Sequence, residues 1–98
     1  MAHDYTVSTR LEQLISQQFG TLTPQVIQWL ERLNLPLVTS LGKPGVERVQ
    51  TAIIIIAAGN MNRFLDAIQL AELDWRDVLV AAGLANGDWA TRLDDILG

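Results

Sequence analysis

Four consecutive isoleucines, Ile53 to Ile56, lie in the most apolar stretch of this 98-residue chain. Successive side chains point about 100° apart around a helix and alternate between the two faces of a strand. One side of either element therefore cannot hold all four isoleucines. The run has to be covered from more than one direction, and whatever covers it determines the fold.

The residues around this run decide between a helix and a strand. β-Branched side chains favour a strand. The wider window instead has helical spacing, with one apolar arc formed by Val46, Val49, Ile53, Ile56 and Ala57. We predict a helix over about 45–58 because no turn signal interrupts this arc. Ile54 and Ile55 then lie outside the arc, on the otherwise polar side of the helix.

The rest of the chain carries the start and stop signals of short helices. Residues typical of helix N-caps precede the other apolar segments: Ser8 or Thr9, Thr23, Asn60, Asp74 and Asp88. Gly20 and Gly83 suit helix ends, because glycine readily adopts the left-handed conformation. We expect a connector over 35–45, where glycine and proline cluster, and a flexible arm over 1–7. These signals predict an all-α fold, a single domain over 1–98 with five to six short helices bundled around the central apolar helix.

The composition narrows the classes of function. With 49% apolar and 18% charged residues, the chain has the composition of a globular protein. Its net charge of −4 opposes binding to nucleic acid, where lysine and arginine supply most of the affinity. The chain contains no cysteine, begins without a leader-like segment, and has no apolar run long enough to span a membrane. We therefore expect a cytoplasmic protein with no membrane partner.

Several short motifs between Val46 and Ala85 are shared with a known family. They are Glu47-Arg48-Val49, Ala58-Gly59-Asn60, Ala67-Ile68-Gln69-Leu70-Ala71, Asp74-Trp75-Arg76-Asp77-Val78-Leu79 and Ala82-Gly83-Leu84. In this part the chain resembles a small family of helical bacterial proteins to which no activity is attached. The resemblance covers less than half of the chain. It implies a compact helical unit and no particular chemistry.

Two groups of residues are candidates for a site. The first is the polar cluster Asp74, Trp75, Arg76 and Asp77, which could bind a ligand or supply an acid and a base. Helix capping and a surface ion pair explain the same residues without any ligand.

The second candidate is a contact surface formed by Ile54, Ile55 and Trp29. Isoleucines on an otherwise polar helix side suit a self-complementary interface. The alternative is that the first two helices of the same chain cover them.

The sequence therefore favours a non-enzymatic, helical protein–protein interaction module that pairs with another protein or with itself, as a homodimer. No catalytic residue, metal ligand or cofactor is predicted, because the chain has no thiol and only one histidine, in the N-terminal arm. The alternative is DNA binding, or association with a transcription regulator, through a degenerate helix-turn-helix over 79–93. Its second helix holds three aspartates and only one arginine. A recognition helix with this excess of negative charge would repel the DNA phosphates.

Overall fold

The described part of the chain folds almost entirely into helices. The computed structural model describes residues 6–33 and 38–98, with side chains in the second range described from residue 45 onward. No strand occurs within these ranges, so the predicted all-α class is confirmed. The helices are α1 (Thr9–Phe19), α2 (Thr23–Glu31), α3 (Val38–Ala57), α4 (Met61–Ala82) and α5 (Trp89–Leu97), with a 3-10 turn at Gly20–Leu22.

The N-terminal end of α1 is held by hydrogen bonds. Ser8 is the N-cap residue, and its hydroxyl oxygen accepts the backbone N–H of Leu11 at 3.3 Å. One residue earlier, Val7 is buried, and its backbone N–H donates to the carboxylate of Glu31 at 3.2 Å. The expectation of a flexible arm over 1–7 is therefore wrong at Val7, because an apolar contact and a hydrogen bond hold it. Residues 1–5 lie outside the described residues.

The helix that contains the isoleucine run is longer than its sequence pattern suggests. α3 begins at Val38, so the predicted connector over 35–45 is wrong from residue 38 onward. Residues 34–37 lie outside the described part of the chain. Glycine and proline have low helix propensities, but packing elsewhere in the same helix can override such local propensities. Side chains of α3 are described from Gly45 onward, and Gly45 itself is buried.

A tight turn joins α3 to α4. Ala58 and Gly59 both have positive φ angles, of 49° and 79°, and Asn60 then caps α4 by accepting the backbone N–H of Arg63 at 3.0 Å. A Cβ atom added to Gly59 would lie 3.1 Å from the backbone oxygen of Gln18. The turn therefore approaches α1 closely enough that only glycine fits at position 59 without displacement.

Substitutions at these two neighbouring positions will have opposite effects. We expect Ala58→Gly to stabilise the protein by about 0.5–1 kcal/mol, because glycine adopts a positive φ without the steric cost that alanine bears. Gly59→Ala will destabilise it by roughly 1–3 kcal/mol, because the new methyl group adds a close contact to the backbone strain. Urea denaturation of both variants measures the difference. Equal or same-sign shifts would contradict the described turn.

α4 bends at Asp74, whose φ of −155° and ψ of 96° are extended. The Asp74 carboxylate accepts the backbone N–H of Arg76 at 3.1 Å, as an N-cap residue does. The helix start predicted at Asp74 thus appears as a corner between two helical segments.

α4 ends as predicted. Gly83 is left-handed, and the N–H of buried Leu84 donates to the carbonyl of Leu79 at 2.9 Å, which is the pattern of a Schellman motif.

The core lies around the second half of α3. From Gly45 to Ala57 no residue is exposed. α4 provides the largest packing surface against α3, while α1 and α5 also contact α3 and each other. Phe19 and Phe64 meet edge to face with ring centroids 5.8 Å apart, which joins the end of α1 to α4. The largest fully buried apolar side chains include Leu11, Ile15, Leu30, Ile53, Ile54, Phe64 and Leu93.

Candidate functional site

The two isoleucines predicted to form a surface lie in different environments. Ile54 has 0% of its surface exposed, so for this residue the alternative holds, that the same chain covers it, and the interface hypothesis is wrong. Ile55 is partly buried and packs against the core. Ile54 lies seven residues after Glu47, and this spacing places both on one side of α3. Since Glu47 bonds to α1, that side of α3 faces α1 of the same chain.

Trp29, the third residue of that predicted interface, lies on the outer side of α2 and is 46% exposed. It lines a shallow groove with Gln25 and Gln28 of the same helix and with Arg32, the C-cap residue. A fully buried Ile54 cannot share a surface with Trp29. An interface role for Trp29 and Ile55 therefore stays a prediction, without Ile54.

The polar cluster at 74–77 is organised around the corner of α4. The Asp74 carboxylate caps the following segment, and its distance to the guanidinium Nε of Arg76 is 3.6 Å. Arg76 and Asp77 are exposed, while Trp75 packs partly against the core. The helix corner accounts for Asp74 and its neighbour. A binding role for the cluster stays a prediction.

A polar network that the sequence analysis missed joins α1, α3 and α5. The Arg10 guanidinium donates to both carboxylate oxygens of Glu47, at 3.0 and 2.7 Å, and to the carboxylate of Asp94 at 2.7 Å. The Ser8 hydroxyl donates to the same Glu47 carboxylate. These partners are 37 to 84 residues apart in sequence, so no local spacing could have revealed them. The network fixes the relative positions of three helices.

The electrostatics of this network follow from its geometry. The hydrogen bonds from Arg10 lower the pKa of Glu47, against the opposing effect of burial, and the bond from Ser8 lowers it further. Hydrogen bonds to Glu47 and Asp94 raise the pKa of Arg10. Both groups are therefore charged at neutral pH, and each is engaged by the other. Such a pair stabilises helix packing and is not poised to transfer protons.

Arg48, the next residue of α3, connects to the turn between α4 and α5. Its Nε donates to the Leu84 carbonyl at 2.8 Å, and its guanidinium lies 4.7 Å from the centre of the Trp89 ring. Burial lowers the pKa of Arg48. This cation–π contact and hydrogen bond hold the start of α5 against α3.

Among the residues whose burial the structure describes, the most exposed large apolar side chains lie on α4, where no interface was predicted. Leu73 is 83% exposed and Val80 is 67% exposed. Before the corner, a shallow groove between α3 and α4 is lined by Ile56, Ala67 and Leu70, with Arg63 and Asp66 at its polar rim. We name Ile56, Ala67, Leu70 and Leu73 the α4 strip. Leu73 lies six residues after Ala67, about 120° around the helix, so it lies beside the groove and not in it.

In the helical pair proposed for DNA binding, the only cation of the second helix, Arg92, is engaged in an ion pair. The Nε of Arg92 donates to the carboxylate of Asp88, four residues earlier, at 3.1 Å, and both side chains are exposed. Leu79, in the first helix of that pair, is buried. DNA binding through 79–93 stays a prediction, and no contact in this region favours it.

Wider comparisons add no assignment. Searches against protein-family models, curated proteins and solved structures gave no match. The resemblance over 46–85 and its bacterial origin therefore stay predictions. Across the described residues, no three or more acidic or histidine side chains are grouped so as to hold a metal ion. None of the helices described is long and apolar enough to cross a membrane.

Proposed function

We propose that this protein is a non-enzymatic helical module that acts by binding protein, and that it associates with itself. The observation that carries this proposal is the α4 strip, with Leu73 83% exposed at its end. Burying a leucine side chain contributes about 1.5–3 kcal/mol. The single chain leaves this contribution unused at Leu73, and a partner surface would recover it.

The residues near Leu73 support the proposal that it belongs to a contact surface and is not a single exposed apolar side chain. The groove beside Leu70 is lined mainly by apolar atoms, and its rim carries one cation and one anion, Arg63 and Asp66. An apolar centre with a polar rim is the usual composition of a protein–protein contact. The low charged fraction of the whole chain agrees with a surface that is partly covered by a partner.

The non-enzymatic part of the proposal rests on the chemistry of the side chains. The chain has no cysteine, and its single histidine, His3, lies outside the described residues. The most enclosed ion pair described, Arg10 with Glu47, is occupied in joining helices. Nucleophilic and acid–base mechanisms both need a group that is free to react, which these engaged side chains are not.

Light scattering across a range of protein concentrations tests self-association directly. We expect the mass to rise from the 10.8 kDa of one chain toward twice that value between micromolar and millimolar concentration. Trp29→Ser serves as the matched variant, because Trp29 is the exposed apolar residue of the other predicted surface. It will leave the association unchanged if α4 provides the contact. A strictly monomeric chain at millimolar concentration would contradict the proposal.

The DNA-binding hypothesis is tested with the same samples. Low-salt titration with a mixed-sequence duplex will show no binding under the proposed function, because the chain is acidic and phosphate contacts dominate such affinity. Salt-dependent binding that Arg92→Gln weakens would favour the helix-turn-helix over 79–93 instead.

A further inference from the structure

Few side chains attach α5 to the rest of the chain. Of its nine residues, only Leu93 and Leu97 are buried, while Trp89 packs partly against the core. α5 packs chiefly on α1 and α3, and all four residues of the link from α4, 85–88, are exposed. Segments with few buried apolar contacts open locally at a lower free energy than the whole domain unfolds. α5 is therefore a segment that can open by itself.

The hydrogen bonds that join the other helices do not depend on α5. The Arg10 guanidinium donates twice to Glu47 of α3 and only once to Asp94 of α5. The Nε of Arg48 donates to the carbonyl of Leu84, which is buried ahead of the exposed link. Opening of α5 therefore breaks one ion pair and one cation–π contact and uncovers two leucines, while α1 and α3 stay joined.

The surface that α5 covers carries one cation from each of two helices. Arg10 of α1 bonds to the Asp94 carboxylate at 2.7 Å, and the Arg48 guanidinium of α3 lies 4.7 Å from the centre of the Trp89 ring. Opening removes the carboxylate from one cation and the aromatic ring from the other. The uncovered surface then favours a ligand that supplies a negative charge and an aromatic ring at the same two places.

The side of α5 that meets this surface has a regular spacing. Trp89, Leu93 and Leu97 lie four residues apart, which places them along one side of the helix, and Asp94 follows the middle one. The two leucines belong to the apolar core. Apolar anchors at this spacing are typical of an amphipathic helix that binds in a groove of another protein. The contact of α5 with its own chain therefore has the form of a helix–protein interface.

Beyond the proposed function, we propose that the surface under α5, with Arg10 and Arg48 at its edges, is a second protein-binding site, and that α5 is its releasable cover. We name this surface the α5 site. Its partner is a helix of another protein that has an aromatic residue followed by two aliphatic residues at four-residue spacing, and a carboxylate next to the first aliphatic one. Such a helix makes the contacts that α5 makes, so the two compete for the site.

Competition between α5 and a partner helix gives the affinity a definite direction of change. A partner binds only the molecules in which the site is uncovered, so its apparent affinity is reduced by the fraction of such molecules. Leu93→Ala and Asp94→Arg weaken α5 and leave Arg10 and Arg48 in place. Both substitutions will therefore raise the affinity of the chain for an added helix, although neither residue touches that helix.

A synthetic peptide with the sequence of residues 85–98 is the probe. Fluorescence anisotropy of the labelled peptide, titrated with the full chain, measures its binding. We expect the Leu93→Ala chain to bind the peptide at least about tenfold more tightly than wild type, and the Asp94→Arg chain about threefold more tightly. Thr91→Ala, at an exposed position of α5, is the matched control and will leave the affinity unchanged. Leu93→Ala in the peptide will instead weaken binding by a similar factor.

Three results would overturn the α5 site. The first is a peptide that binds no chain, and the second is equal affinity for wild type and both α5 variants. The third is competition by unlabelled wild-type chain as strong as that by unlabelled peptide, which would mean that a second copy supplies the helix. Circular dichroism checks folding; if Leu93→Ala fails to fold, Asp94→Arg, at an exposed position, carries the test.

Failure of the α5 site can be told apart from failure of the proposed function. Leu73→Glu will weaken self-association through the α4 strip and leave capture of the peptide unchanged, because Leu73 lies outside the α5 site. A chain that stays monomeric at millimolar concentration, yet captures the peptide, contradicts self-association and retains the α5 site. A chain that associates with itself and captures no peptide retains the proposed function alone.

Discussion

Ile54→Ala will lower the free energy of unfolding by about 2–5 kcal/mol, whereas Ile55→Ala will lower it by clearly less. The two residues are neighbours with identical chemistry, so the comparison isolates burial. Ile54 has no exposed surface and faces α1, and shortening it leaves a cavity in the core. Ile55 is only partly buried, so water can occupy part of the space that its side chain leaves.

Urea denaturation of both variants is measured at micromolar concentration, which limits any self-association. This condition matters because dimerisation would add its own stabilisation to the unfolding free energy. Ile53→Ala is a suitable reference, since Ile53 is also fully buried but faces another direction around the helix. Equal effects at Ile54 and Ile55 would show that α1 does not cover the side of α3 that contains Ile54.

Glu47→Gln will lower the free energy of unfolding by about 1–3 kcal/mol at neutral pH. The amide keeps the shape of the carboxylate but removes its charge. One of its two polar atoms becomes an N–H₂ group that faces the guanidinium of Arg10, which can only donate. The Ser8 hydroxyl and Asp94 stay in place, so α1, α3 and α5 remain near one another with a weaker link.

The same substitution has a pH dependence with a definite sign. Arg10 and Ser8 lower the pKa of Glu47 in the folded chain below its ordinary value of 4.5. A depressed carboxyl pKa contributes stability that is present above the ordinary value and disappears as pH falls through the folded-state value. The difference in unfolding free energy between wild type and Glu47→Gln will therefore shrink below about pH 4.5.

Asp94→Asn is the control for this pH series. The Asp94 side chain is 71% exposed, compared with 16% for Glu47, so its ion pair with Arg10 is screened by water. We expect a much smaller change in stability and in pH dependence. A pH-independent difference for Glu47→Gln would mean that the lost stability comes from packing and not from the carboxylate charge.

Signals confined to a few residues predicted local structure well. Gly83 and the buried Leu84 form the expected helix end, and Asp74 caps a new helical segment as its position suggested. Each of these features depends on backbone geometry within one helical turn. The connector over 35–45 was wrong beyond residue 37, although its signals were equally local. In that segment, continuation of a packed helix outweighs the preferences of glycine and proline.

Contacts between distant parts of the chain could not be predicted in the same way. The angular pattern of α3 placed Ile54 on a polar side, because Glu47 shares that side. That carboxylate is itself covered, since Arg10 and Ser8 reach it from α1. The charged residue Glu47 therefore did not mark a solvent-exposed side of α3. The exposure of Leu73, in contrast, follows from the helical period, because Leu73 lies seven residues after exposed Asp66 and four after exposed Gln69.

The lack of any exposed residue between Gly45 and Ala57 limits how this protein can vary. Most helices have one side on which substitutions are nearly neutral, and a chain can drift there while its core is preserved. This half of α3 has no such side, so a replacement at any of its positions must be accommodated by a neighbouring helix. Changes here would have to come in compensating pairs, whereas the outer sides of α2 and α4 can vary without such compensation.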